Sequence, residues 1–210
     1  MNWLESIKIL KRRISEGNNY PLRKGKNGNF IFIHINKTAG TSIAKCIGLP
    51  KKRHLTVKQV IKIVGKNNFM NAYKFAVVRN PWSKVVSHYQ YRVRTNQNEL
   101  GTKPIPFDLW VMKTYGSEKD LMYYDYPKMF MPQVEWLRDD KGIISVNKIF
   151  KFEELPEAFD EIAKEIGINS NLPKLNATDK VDYRAMYDET SKLIIAQHFK
   201  EDIDLLNYRF

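Results

Sequence analysis

The chain has 210 residues, of which 43% are hydrophobic and 12% aromatic, and this composition excludes an intrinsically disordered protein. The net charge of +12 favours a polyanionic partner: a nucleic acid, a membrane surface, or an anionic cofactor or substrate. The single cysteine, Cys46, excludes an intramolecular disulfide, and no apolar run reaches the ~18 residues of a membrane span. We therefore expect a soluble, cytoplasmic protein in which residues 1–210 form a single domain.

The first 29 residues lack a strong strand pattern. Residues 1–15 are amphipathic and predict a short helix. Residues 16–29 are rich in Gly, Asn and Lys, and this composition predicts a connector.

The segment from Phe30 to Ser42 is the strongest signal in the chain. Phe30 to Ile35 predicts a buried strand, a short polar loop follows, and a helix is expected from Ile43. Free backbone N–H groups and a helix dipole favour phosphate binding at such a loop, although an ordinary strand–helix turn is the alternative. The loop is not a Walker A motif, because Lys37 precedes the glycine, and no metal-binding Asp is evident after a strand.

His54 lies in a basic loop. Thr56 and Gln59, which follow it, have the spacing of a capping box and predict the start of a helix. The second strong strand, from Tyr73 to Val78, ends in Arg79. An Arg at the carboxyl end of a parallel strand points into the crevice where doubly wound folds bind ligands. Its guanidinium can hold phosphate, and Ser87 can add a hydroxyl, although a scaffold salt bridge would also explain the Arg. Together the two motifs predict a ligand with two phosphates.

Further elements complete an alternating pattern of strands and helices, which predicts a parallel sheet covered on both faces. The aromatic residues between Tyr123 and Trp136 either stack on sugars or belong to the core. The remaining predicted elements are a short helix over 107–115, a strand within 143–152, a helix from Leu155 to Ile166, and a last helix capped by Asp188.

The segment from His34 to Ser42 resembles the 5′-phosphosulfate loop of the carbohydrate sulfotransferase family (heparan-sulfate-like, family 2). Arg79-Asn80-Pro81 with Ser87 resembles the family's 3′-phosphate motif, and the similarity extends over residues 30–210. The resemblance implies an α/β fold of the P-loop-NTPase-like, three-layer type with a central parallel sheet. It also implies transfer of a sulfuryl group from 3′-phosphoadenosine-5′-phosphosulfate (PAPS) to a hydroxyl of a carbohydrate or glycoconjugate, without a metal.

The resemblance also implies roles for individual residues. Lys37 would contact the bridging oxygen and the transferring sulfuryl group. The expected contacts of the donor's two phosphates are Thr38, Ala39, Gly40, Thr41 and Ser42 at the 5′-phosphate, and Arg79, Ser87 and Lys180 at the 3′-phosphate. Two positions depart from the family pattern, which usually has Pro at Asn36 and commonly Gly at Ala39.

Transfer should be in line, with Lys37 stabilising the leaving group and a base taking the acceptor proton. Four histidines are candidates for this base. His54 is preferred because it lies in a loop between the two phosphate motifs, as a His does in several family members. The others are expected in structural or solvent-facing positions: His34, His88 and His198.

Two other functions would fit parts of the pattern. A nucleotide-dependent kinase with a variant P-loop predicts ATP binding and dependence on Mg²⁺. A basic nucleic-acid-binding module predicts a steep salt dependence with no need for the Lys37 loop. No nucleic-acid motif is present, so we expect no nucleic-acid partner, and an anionic glycan acceptor would account for more of the positive charge.

Overall fold

A computed structural model of the protein describes residues 21–49, 54–169 and 182–210. The predicted helix over residues 1–15 and the late loop with Lys180 lie outside these residues. Residue contacts divide the chain into two compact units. Among the described residues, the first unit contains 21–35, 40–49, 54–77 and 136–169, and the second contains 36–39, 78–135 and 182–210.

A four-stranded sheet has the order β1 (Leu22–Gly25), β2 (Gly28–Ile33), β3 (Tyr73–Val78), β4 (Lys148–Lys151). The two strands predicted most strongly, β2 and β3, are parallel neighbours, with Phe32 opposite Phe75. Both are rich in apolar β-branched and aromatic residues, and their side chains are largely buried, as expected of central strands. The α/β class predicted from the sequence is therefore confirmed.

The connector predicted over residues 16–29 is wrong for its second half. Residues 22–25 form the edge strand β1, which pairs antiparallel with β2 across a turn at Lys26 and Asn27. Edge strands tolerate charged and half-exposed residues, so the sequence of β1 carries no apolar alternation that would reveal it.

Nine α-helices are found within the described residues. In chain order they are α1 (Gly40–Cys46), α2 (Val57–Val64), α3 (Lys66–Met70), α4 (Pro81–Arg94), α5 (Phe107–Tyr115), α6 (Gln133–Leu137), α7 (Leu155–Ile166), α8 (Glu189–His198) and α9 (Lys200–Leu206). Short 3-10 turns cover Gln97–Glu99, Pro127–Met129, Phe152–Glu154 and Tyr183–Met186.

Local sequence signals fix several helix starts. The predicted capping box of α2 is present, with Gln59 N donating to Thr56 Oγ1 at 3.3 Å and Thr56 N donating to Gln59 Oε1 at 3.1 Å. Asp188 caps α8 in the same way, with Ser191 N donating to its side chain at 2.6 Å. At α4, Asn80 accepts from the backbone of the first turn and Pro81 takes the N1 position.

The second unit has an aromatic core packed against the apolar face of α4. Trp82, Val85 and Val86 contribute to this core from α4. Phe130 is fully buried there, Tyr123 is buried as well, and Tyr126 is about half exposed. Most of the aromatic stretch that could have stacked on sugars is thus core.

Candidate functional site

The predicted 5′-phosphate loop has an unusual backbone. Lys37 and Ala39 both adopt left-handed φ values, of 64° and 60°, whereas Thr38 between them does not. Alternation of this kind turns successive backbone N–H groups toward one concavity, an arrangement that binds anions. The left-handed φ at Ala39 also gives a physical reason for the family's common glycine at this position.

The two predicted phosphate motifs meet through Arg79. Its Nη1 donates to the backbone carbonyl of Lys37 at 3.3 Å, and its Nε donates to Ser83 Oγ at 3.0 Å. Arg79 follows β3 directly, so the strand brings its side chain to the loop after β2. Segments 42 residues apart in sequence therefore share one hydrogen-bonded cluster.

One face of α4 lies beside this cluster. Ser83, Ser87 and Tyr91 follow one another at four-residue intervals, and such residues line one side of a helix. The Nζ atom of Lys37 lies 4.1 Å from the centroid of the Tyr91 ring. Arg79 contacts Ser83, and Lys37 contacts Tyr91. The half-buried Ser87 lies between Ser83 and Tyr91 on the same side of α4.

Positive charge is concentrated around Lys37. Burial, followed by repulsion from Arg94, Arg79 and Lys84, lowers the pKa of the Lys37 ammonium to about 8. Lys84 is fully buried, and burial lowers its pKa to about 8 as well. A bound anion would relieve this repulsion, so the electrostatics of this part of the second unit favour a phosphorylated ligand.

Sequence reasoning missed two of the residues that shape the cluster. Tyr91 is one helical turn beyond Ser87, so the spacing alone could have indicated it. Gln133 hydrogen-bonds the backbone of Arg79 from 54 residues away, and no sequence signal marks it.

Asn36, at the family's usual Pro position, is buried and donates through Nδ2 to Met129 O at 3.0 Å.

In the first unit, Gly40 and His34 fit together closely. A Cβ atom at Gly40 would lie 1.9 Å from His34 Cδ2, so no other residue fits at the start of α1 while the imidazole occupies this position. His34 is buried and stacks on Phe32 with ring centroids 5.5 Å apart. Burial, assisted by His54, lowers the pKa of His34 to about 3, so this histidine is neutral at physiological pH.

His54, the predicted base, is half-buried in the first unit. Its Nδ1 lies 3.0 Å from the carbonyl oxygen of His34. A carbonyl only accepts, so Nδ1 carries the hydrogen, and the lone pair of the neutral ring is on Nε2. The ring is held further by a tilted contact with His34, at 4.4 Å between centroids, and by an edge contact with Trp136 at 6.1 Å.

The remaining predicted residues differ in exposure. Thr38 is fully buried, Thr41 is exposed and Ser42 is half-buried. Lys180 lies outside the described residues. Of the other histidines, His88 accepts from Arg92 Nε at 3.2 Å inside the second unit, and His198 Nε2 lies 2.8 Å from Phe130 O.

Comparison with known families gives one extensive match. Residues 22–209 match the sulfotransferase family, and this range contains both predicted phosphate motifs. The chain belongs to the sulfotransferase family. Its activity is therefore sulfuryl transfer, and the predicted P-loop-like α/β fold is confirmed by this membership together with the β2–loop–α1 arrangement.

This sulfotransferase is also similar to two further proteins. An uncharacterized protein of Archaeoglobus fulgidus is 30% identical over 124 residues, which are 58% of this chain and 90% of that protein. The crystal structure of a sulfotransferase from Alicyclobacillus acidocaldarius matches with a TM-score of 0.41 and 12% identity, over 97% of this chain and 92% of that one.

Membrane-spanning helices and metal-binding clusters are both absent from the described residues. No helix among the described residues combines the length and apolar character needed to cross a bilayer. Within the same residues, no group of three or more His, Cys, Asp or Glu side chains is arranged to hold a metal ion.

Proposed function

We propose that this sulfotransferase uses PAPS as donor and a hydroxyl of a carbohydrate or glycoconjugate as acceptor. The observation that carries the proposal is the hydrogen bond from Arg79 Nη1 to the carbonyl of Lys37. It joins the two motifs that would each hold one phosphate, and PAPS carries phosphate groups at both the 3′ and 5′ positions.

The residues present suit such a donor. The concave backbone of the loop from Lys37 to Ala39 offers N–H groups for the 5′-phosphate, and Thr38, Gly40, Thr41 and Ser42 would complete this site. Arg79 and Ser87 would hold the 3′-phosphate through a guanidinium and a hydroxyl. Lys180 is proposed as a further contact there.

Lys37 would stabilise the negative charge that develops on the oxygen of the leaving group. Bound PAPS supplies the sulfuryl group, which passes to the acceptor oxygen as the nucleotide bisphosphate leaves. The ammonium of Lys37 is already partly desolvated, and its interaction with a developing charge is strengthened in such surroundings. Contact with the π face of Tyr91 keeps this side chain ordered before ligand binds.

His54 would accept the proton from the acceptor hydroxyl at Nε2. The contact of Nδ1 with His34 O fixes the neutral tautomer that leaves Nε2 as the acceptor. Loss of the hydroxyl proton to His54 makes the acceptor oxygen more nucleophilic as its bond to sulfur forms.

Net charge and one exposed aromatic ring support a carbohydrate acceptor. The net charge of +12 exceeds what one nucleotide requires, and an anionic glycan would use part of the remainder. Tyr126 is about half exposed and offers a ring for stacking on a sugar.

The proposed location of the protein is the cytoplasm.

Calorimetry with 3′-phosphoadenosine 5′-phosphate in the presence of EDTA tests the donor site. We expect binding that EDTA leaves unchanged, and a loss of about 10- to 100-fold in affinity for Arg79→Ala, because a charge-assisted contact to phosphate is removed. Lys103→Ala, which removes an exposed cation of the same unit, is the control and should bind normally.

Failure of well-folded protein to bind the nucleotide, or loss of binding on adding EDTA, would contradict the proposal. Binding of ATP that requires Mg²⁺ would instead indicate the kinase. Once donor binding is established, a screen of glycans and small hydroxyl compounds with ³⁵S-labelled PAPS identifies the acceptor class.

A further inference from the structure

Arg79 lies just beyond the end of β3, where one buried side chain holds its backbone. Arg79 N donates to Gln133 Oε1 at 2.9 Å, and Gln133 Nε2 donates to Arg79 O at 2.8 Å. The side-chain amide therefore pairs with Arg79 much as the backbone of a neighbouring strand would. Gln133 is fully buried, so no water competes for these two hydrogen bonds.

Asp202 fixes the direction of this amide. Gln133 Nε2 also donates to Asp202 Oδ2 at 3.1 Å, and because a carboxylate only accepts, the nitrogen end must face Asp202. The backbone N–H groups of Gln133 and Val134 donate to the same carboxylate at 2.8 Å and 2.9 Å. Asp202 thus holds the first turn of α6 together with the Gln133 side chain.

The guanidinium of Arg79 extends from this fixed backbone. Its donors are directed to Ser83 Oγ and Lys37 O, beside the loop proposed to hold the other phosphate. Guanidinium–phosphate contacts depend on direction, so a small rotation of the Arg79 backbone would move the donors away from a phosphate. Displacements of about 1 Å in groups that position a substrate can cost about 100-fold in rate.

We infer that Gln133 is a positioning residue that aims Arg79 at a second phosphate and thereby gives the site its preference for an adenosine bisphosphate. The inference rests on the proposed donor and deepens it, because it assigns the 3′-phosphate preference to a residue that touches no ligand. Removal of Gln133 should therefore weaken recognition of the 3′-phosphate alone.

The experiment compares two dissociation constants measured by calorimetry, for 3′-phosphoadenosine 5′-phosphate and for adenosine 5′-phosphate. Gln133→Met keeps the size of the side chain but removes both hydrogen bonds to Arg79. We expect affinity for the bisphosphate to fall about 10-fold, while affinity for the monophosphate stays the same. Thr114→Val is the matched control, since it removes a fully buried hydroxyl of the same unit that bonds only within α5.

Gln133→Glu provides a second variant that replaces a single amide group. It keeps an acceptor for Arg79 N but loses the donors to Arg79 O and to Asp202, and it should lower bisphosphate affinity in the same selective way. Equal losses for both nucleotides, or a matching loss in Thr114→Val, would indicate a purely structural role and overturn the inference. If both Gln133 variants keep the bisphosphate preference, the inference about Gln133 is also wrong. If the wild-type protein shows no preference for the bisphosphate, the proposed donor is wrong as well.

Discussion

Lys37 is a lysine whose surroundings oppose its charge. Burial contributes most to lowering its pKa to about 8, and repulsion from Arg94 and Arg79 lowers the pKa further. The ammonium also lies over the Tyr91 ring. Without ligand, a substantial fraction of Lys37 is neutral slightly above physiological pH. A phosphate ligand stabilises the charged form, so binding should raise the pKa and take up a proton.

The affinity of wild-type protein for 3′-phosphoadenosine 5′-phosphate should fall as the pH rises through about 8, because the ligand-free protein then holds fewer protons than the complex. Calorimetry in buffers of different ionisation enthalpy measures the proton uptake. Lys37→Arg keeps the charge at all these pH values and should weaken the pH dependence, leaving the contribution of Lys84, whose pKa is also about 8. An unchanged pH dependence in Lys37→Arg would assign the titration to another group.

His54 should affect turnover and leave donor binding intact. Removal of a general base costs about 10²- to 10⁴-fold in rate, so His54→Ala should lower kcat by this amount with an unchanged dissociation constant for the nucleotide. His198→Ala, which removes a half-buried histidine of the second unit, is the control. Near-normal turnover of His54→Ala would place the base elsewhere.

Among the elements, the loop before α1 carries more conformational strain than the helix that follows. Ala39 has a φ of 60°, a conformation that costs an L-residue about 1–2 kcal/mol. Glycine removes this cost. It also gives the unfolded chain more conformational freedom, and this effect lowers the gain in stability by about 0.4–1 kcal/mol. Ala39→Gly should therefore raise the free energy of unfolding by about 0.5–1 kcal/mol, as measured by urea denaturation.

Ala44→Gly tests the same substitution inside α1. Ala44 is buried within a regular helix, so glycine there should lower the free energy of unfolding by about 1 kcal/mol or more. Opposite signs for the two variants are expected. Destabilisation by both would mean that the left-handed conformation of Ala39 does not strain the folded protein.

Elements with strong local signals were predicted well from the sequence. The caps at Thr56 and Asp188 depend on residues three positions apart, and β2 and β3 are long apolar runs, so each is encoded locally. The edge strand β1 was missed because polar residues suit its exposed side. The strand predicted over 143–152 is restricted to β4, with Asn147 bonding Lys74 of β3 through both its backbone N and its side chain.

At the scale of the whole molecule, contacts between residues distant in the chain could not be predicted from the sequence. Arg79 and Lys37 were both identified, but their hydrogen bond required the parallel pairing of β2 and β3 to be known. Gln133 was invisible because a buried glutamine acts through partners 54 and 69 residues away. The single domain expected over residues 1–210 stays a prediction beside the two compact units that the contacts define.

The fit between His34 and Gly40 also constrains how this sulfotransferase can change during evolution. A side chain at position 40 meets the imidazole at 1.9 Å, so a substitution there is tolerated only after position 34 has lost its ring. Losing the ring first removes the stacking on Phe32 and one neighbour of His54. The two positions are therefore epistatic, and a route between sequences that differ at both must pass through the smaller residue at position 34.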